Sequence, residues 1–156
     1  MALADDLLEQ AAHLATREPK RPKQASLRRA VSTAYYSLFH LLISSGISHW
    51  KDHRQRPIIA RSFSHTVMRE ASQKIANKQF PASDAAVATS LKMIANAFID
   101  LQQERHNADY SYVKKWSRTE VQSHIDSTAK AFAAGKRIRD ERLAKDYLIS
   151  MLFRER

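Results

Sequence analysis

Apolar residues recur at helical spacing along most of this chain, and nowhere at the strict alternation of a strand. The pattern is clearest between residues 87 and 112. Val87, Leu91, Ile94, Phe98 and Leu101 follow one another at steps of 4, 3, 4 and 3, the period of a helix with one buried face. Continued at the same spacing, the series meets Arg105 and then Asp109. An apolar seam therefore runs into two charges at the edge of the core, where an unpaired charge is costly. Either the two satisfy each other or they face a ligand in a cleft. A helix is expected from about residue 83 to near residue 105.

The remaining elements follow in order. Leu3, Leu7, Leu8, Ala11 and Leu14 share one helical face, with Asp5, Asp6 and Glu9 suited to its first turns. Pro19 and Pro22, within the basic stretch REPKRPK, end that helix. A second helix is expected over residues 24–45. Its core face is Leu27, Val31, Ala34, Leu38 and Leu41/Leu42, supported by Tyr35 and Phe39. A polar stripe of Arg29, Thr33, Tyr36 and His40 runs beside it, and Gly46 reads as its C-terminal cap. Residues 46–62 read as a long basic connection, and residues 64–76 as a shorter helix. Ser117 and Glu120 have capping-box spacing before another helix carrying Val121, Ile125, Thr128 and Phe132.

The pattern fails around Gly135 and returns at Leu143, Tyr147, Leu148, Met151 and Leu152. These elements predict an all-α fold: an up-and-down bundle of about five helices with a long C-terminal helix. Residues 1–135 form the bundle in this reading, and residues 136–156 a helical extension. The polar interval over residues 136–142 spans about 10 Å of helix. The apolar face beyond it must either fold back on the bundle or dock on another chain.

Composition narrows the chemistry. The chain has 156 residues, no cysteine and only two glycines. Disulfides and thiolate metal sites are thus excluded, the absence of cysteine suits the cytoplasm, and no phosphate-cradling glycine loop is expected. Asp5 and Asp6 stand where a secretory signal would be basic, and no apolar run approaches a membrane span. The formal net charge of +10 favours polyanionic partners. By thirds of the sequence that charge is spread along the chain. His49 and His53 have the spacing of a metal pair but lack a clear third ligand, so neither metal nor cofactor is expected.

The segments AYYSLFH, from Ala34 to His40, and ERHNADY, from Glu104 to Tyr110, resemble the HEPN superfamily of small helical domains. They are similar to its bacterial and archaeal proteins with AYY-x-x-FH on one helix and R-x-x-x-D-Y at the end of another. Ser64-His65 before the third helix is similar as well. The resemblance covers roughly residues 3–132. It implies a helical domain, commonly dimeric, so that a homodimer with the C-terminal apolar face at its subunit interface is expected, and in many members a metal-independent RNase with an arginine followed four to six residues later by a histidine. Arg105 matches the arginine; Asp109, Tyr110 and Ser111 stand where the histidine would be. Tyr112 fits the tyrosine that often follows in the family's toxins.

The departure bears on the chemistry. Arginine suits the charge that develops on a phosphorane. Tyrosine, with a reference pKa of about 10, is a poor base at pH 7, and a carboxylate beside Arg105 is held ionised and weakly basic. The candidate catalytic residues are Arg105, Asp109 and Tyr110; the candidate ligand-binding residues are Tyr36, His40, Arg29, His106 and Tyr112. His106 lies about 100° round a helix from Arg105, and so points elsewhere unless the helix ends there. The resulting expectation is a module that binds RNA or a nucleotide-bearing partner, with residual or lost RNase activity. The alternatives are a protein-interaction partner of a nucleotidyltransferase-type protein in a toxin–antitoxin or defence system, or a structural dimerisation domain.

Overall fold

The computed structural model describes residues 2–154, with the side chain of Ala2 left out, and these residues form helices and no strand. The helices are α1 (Ala2–Ala15), α2 (Gln24–Ser48), α3 (Arg56–Ala60), α4 (His65–Asn77), α5 (Ala85–Tyr110), α6 (Arg118–Ile138) and α7 (Arg142–Ser150). A 3-10 turn, Ala82–Asp84, leads into α5. Five of these are long, as expected. None of the described helices is long and apolar enough to cross a membrane.

α5 is the axis of the bundle. Its Leu91, Ile94, Phe98 and Leu101 are buried as their spacing predicts, whereas Val87 is only half-buried. α2 and α6 pack against α5, α1 lies against α2 and α6, and α4 covers another side of α5. α2 is buried over much of its circumference, from Leu27 and Val31 to Tyr35, Leu38 and Leu42. Neighbours on several sides explain why its polar stripe is interrupted by buried Thr33. At one end of the bundle the chain is fastened across its connections. The Gln24 side-chain amide donates to the carbonyl of Trp116 at 2.8 Å and accepts from its N–H at 3.0 Å. Arg28 donates to the carbonyls of Ala108 and Lys114 at 3.0 and 2.8 Å, and Arg118 donates to those of Ala15 and Glu18.

Four boundaries differ from expectation. α5 runs to Tyr110, one turn past Arg105. α2 runs through Gly46 to Ser48. Gly46 is not a cap, because no glycine has a positive φ. Its role is steric: a Cβ there would lie 2.9 Å from the ring of Phe63. α6 passes through Gly135, across the expected boundary between residues 135 and 136. There Gly135 faces Leu41 and Ile94 in the core.

The fourth difference is at the C-terminus. The chain turns at residues 139–141, so the polar interval does not extend α6. α7 folds back on α4, α2 and α5. Ala144, Tyr147, Leu148 and Met151 are buried within the chain, and the Tyr147 and Ser72 hydroxyls are hydrogen-bonded at 2.6 Å. Of the face expected at a subunit interface, Tyr147, Leu148 and Met151 are thus buried within the chain itself, and Leu143 and Leu152 are half-buried. The capping box forms in part. Ser117 Oγ accepts from the Glu120 N–H at 3.1 Å, while the Glu120 carboxylate pairs with Lys114 at 3.2 Å.

Candidate functional site

Arg105 sits on α5 where the apolar seam gives out, as the periodicity predicts. Its guanidinium carbon lies 5.3 Å from the centre of the Tyr35 ring and 5.9 Å from that of Tyr36. Cation–π attraction holds a charge at such distances. Asp109, one turn on, accepts a hydrogen bond from Arg105 Nη1 at 3.4 Å, so the two do pair. The pairing is long and leaves most of the five guanidinium donors unused. Arg105 Nε is buried and has no hydrogen-bond partner. An unsatisfied buried donor costs about 1–3 kcal/mol, more for a charged group.

The α4 helix brings in a residue that the arginine spacing does not reach. Ser64 caps α4 by accepting from the Val67 N–H at 3.2 Å, which fixes His65 in its first turn. The His65 ring stacks on Phe39 with centroids 4.3 Å apart, and its Nδ1 lies 2.5 Å from the Tyr35 hydroxyl. Tyr35 is fully buried, and burial pushes its phenol well above the usual range, with Arg105 opposing. The phenol therefore stays protonated, and which of the two groups donates follows the His65 tautomer. Burial lowers the pKa of His65, and the charges of Arg105 and His40 lower it further. The ring is then neutral at pH 7. Gln102 donates to the His65 carbonyl at 3.0 Å and accepts from Arg69 at 3.2 Å, which ties α4 to α5 here.

Of the sequence candidates, Arg105, Asp109 and Tyr36 come together. His40 is half-buried with its ring edge-on to Phe39 at 5.4 Å, and burial lowers its pKa. His106 and Tyr110 are exposed and lie together on another face, 5.1 Å apart. Helix α5 does not end at Arg105, so His106 does point away from it. Arg29 and Tyr112 are exposed. His65 and Tyr35 were absent from the candidates. The Ser64-His65 pair was legible, but Tyr35 carries the marks of a core aromatic. It is one, and it uses its hydroxyl for the site.

Two other features lie outside this cluster. Glu104, Glu120 and His124 place ligand-type atoms within 4.8 Å of one another. The Lys114 ammonium already stands at 2.6 Å from Glu104 and 3.2 Å from Glu120. Burial opposes its charge, but hydrogen bonds to the two carboxylates outweigh that and raise its pKa. A groove of about 790 Å³ lies between α4 and α7, lined by Ile75, Phe80, Leu143 and Tyr147 among others, and includes none of the residues around Arg105. No protein family, curated protein or solved structure compared with the chain matches it.

Proposed function

We propose that the chain is a HEPN-like helical module that binds RNA, or a partner bearing a nucleotide, at the Arg105 cluster. The observation that carries this reading is the underused guanidinium: a partly buried arginine held by two tyrosine rings, whose one bond, from Nη1 to Asp109, is long. A phosphodiester oxygen is an acceptor that such a group lacks. We assign the His65 proton to Nε2, with the Tyr35 hydroxyl donating to Nδ1, which makes His65 a second donor in the same aromatic cluster. The net charge of +10 supports an anionic partner.

The same tautomer argues for binding over cleavage. A base that takes a proton from a 2′-hydroxyl needs a free nitrogen lone pair. In the assigned tautomer the Nδ1 lone pair of His65 is occupied by the Tyr35 hydroxyl, and Nε2 carries the proton. The module therefore holds RNA and leaves it intact. Fluorescence anisotropy with a labelled single-stranded oligonucleotide at low salt tests this. Saturable binding that weakens at least tenfold in Arg105→Ala, with helicity unchanged by circular dichroism, is the expected result. Equal binding by both proteins, or none by either, would refute it.

A further inference from the structure

The charge that is spread along the sequence is not spread in space. Residues 17–29 hold six lysines and arginines against one glutamate, and residues 104–120 hold four against three acidic residues. The two stretches thus carry +6 of the chain's net +10. The fold sets them side by side at one end of the bundle, through the Gln24–Trp116, Arg28–Lys114 and Arg118–Glu18 hydrogen bonds. The acidic groups there are mostly engaged. Glu18 accepts from the Lys23 N–H and the Ser26 hydroxyl, Glu104 and Glu120 hold Lys114, and Asp109 holds Arg105. Lys20, Arg21, Arg29 and Lys115 are exposed and form no ion pair among the described residues.

The same end displays apolar side chains to solvent. Tyr110, Tyr112 and Val113 are 65, 98 and 88% exposed. A single exposed apolar residue is ordinary, but three within four positions are not. The turn that carries them is firmly held. Ser111 Oγ accepts from the N–H groups of Val113 and Lys114 at 3.3 and 3.1 Å, and Arg28 clamps the carbonyls on either side. Aromatic rings presented on a rigid turn among unpaired cations match a flexible chain of phosphates and bases. The phosphates meet the cations and the bases stack on the rings.

We infer that this end of the bundle is a docking surface for single-stranded RNA, with Tyr112 as the stacking platform and Lys20, Arg21 and Lys115 as phosphate contacts. It rests on the reading that Arg105 binds RNA and extends that site. Arg105 stands in the last turns of α5 and Tyr112 two residues past its end at Tyr110, so both belong to the same end of that helix.

The test is anisotropy with a fluorescein-labelled 12-nucleotide uridine oligomer over a series of salt concentrations. The proteins compared are the wild type, Tyr112→Ala, the double variant Lys20→Gln/Arg21→Gln, and Arg105→Ala. Tyr112→Ala is expected to weaken binding roughly five- to hundredfold, the range seen when a stacking ring is removed. The double variant is expected to flatten the slope of log K against log salt by about 1.4, at roughly 0.7 per single-strand phosphate contact. If wild type binds and only Arg105→Ala weakens it, the docking surface is overturned and the Arg105 reading stands. If wild type does not bind, both fall. If Tyr112→Ala lowers the mass in light scattering, the patch is a self-association face and the inference is likewise overturned.

Discussion

Replacing Tyr35 by phenylalanine removes one oxygen from a fully buried ring and should disturb both the core and the site. The ring still fills its place against Phe98, Tyr36 and Phe39, so little packing is lost. What goes is the 2.5 Å hydrogen bond to His65 Nδ1. A neutral hydrogen bond contributes about 1 kcal/mol net, and leaving a half-buried acceptor unpaired adds about another 0.5–1. The expected cost is therefore about 1.5–2 kcal/mol, read as a shift in the urea midpoint with unchanged slope. For a chain of this length that is a fall in Tm of roughly 3–8 °C.

Tyr36→Phe is the control, because the Tyr36 ring contacts Arg105 but its hydroxyl has no comparable buried partner. It should cost less than about 0.5 kcal/mol, as most changes away from such features do. The His65 ring gives an independent readout. A donor at Nδ1 favours the neutral form, so its loss in Tyr35→Phe should raise the His65 pKa, followed by NMR through the ring carbon protons. Equal stability of the two variants, or a His65 pKa that does not move, would refute the assigned hydrogen bond and with it the tautomer on which the binding-over-cleavage reading rests.

Other expectations follow from burial and charge. Burial holds the pKa of both His65 and His40 below the usual histidine value of about 6.5. The unfolded state therefore takes up protons first, and their contribution is fully present above about pH 6.5 and lost as pH falls toward the folded values. Urea midpoints should drop between pH 7 and pH 5.5, and the double variant His40→Gln/His65→Gln should flatten that dependence. Phe98→Ala, at the centre of the α5 face, should cost about 3–5 kcal/mol through the cavity it leaves; a loss under 1 kcal/mol in denaturant would contradict the burial. Met151→Ala should cost about 2–5 kcal/mol, because Met151 is fully buried within its own chain. A change of mass in light scattering with no loss of stability would instead return the C-terminal face to a subunit interface.

The sequence carried the bundle well where one face of a helix meets one neighbour. Leu91, Ile94, Phe98 and Leu101 needed only their spacing to be placed in the core. It was misleading where a signal has two physical causes. Gly46 looks like a cap, since caps are where glycine most often pays off, but here it makes room for the Phe63 ring across the turn. The polar run after Gly135 looks like a spacer. Hydropathy does not register that the chain reverses at residues 139–141, and that reversal decides what α7 covers.

Arg105 and Asp109 were legible as a pair because they lie one helical turn apart. The Tyr35–His65 bond joins residues 30 positions apart on different helices, and only the packing of both α2 and α4 on α5 creates it. Charge behaved the same way. Equal thirds of the sequence conceal that two basic connections meet at one end of the bundle.

The central claim is that the guanidinium of Arg105 receives an RNA phosphate. Its most direct test is the ¹⁵N-edited NMR signal of Arg105 Nε–H, assigned by its disappearance in Arg105→Lys, during titration with a single-stranded oligonucleotide. Nε–H belongs to the guanidinium whose outer Nη donors meet the phosphate, so its signal should shift saturably as the oligonucleotide binds, with the same midpoint as anisotropy. An Nε–H signal that stays fixed while the oligonucleotide binds elsewhere would contradict the account.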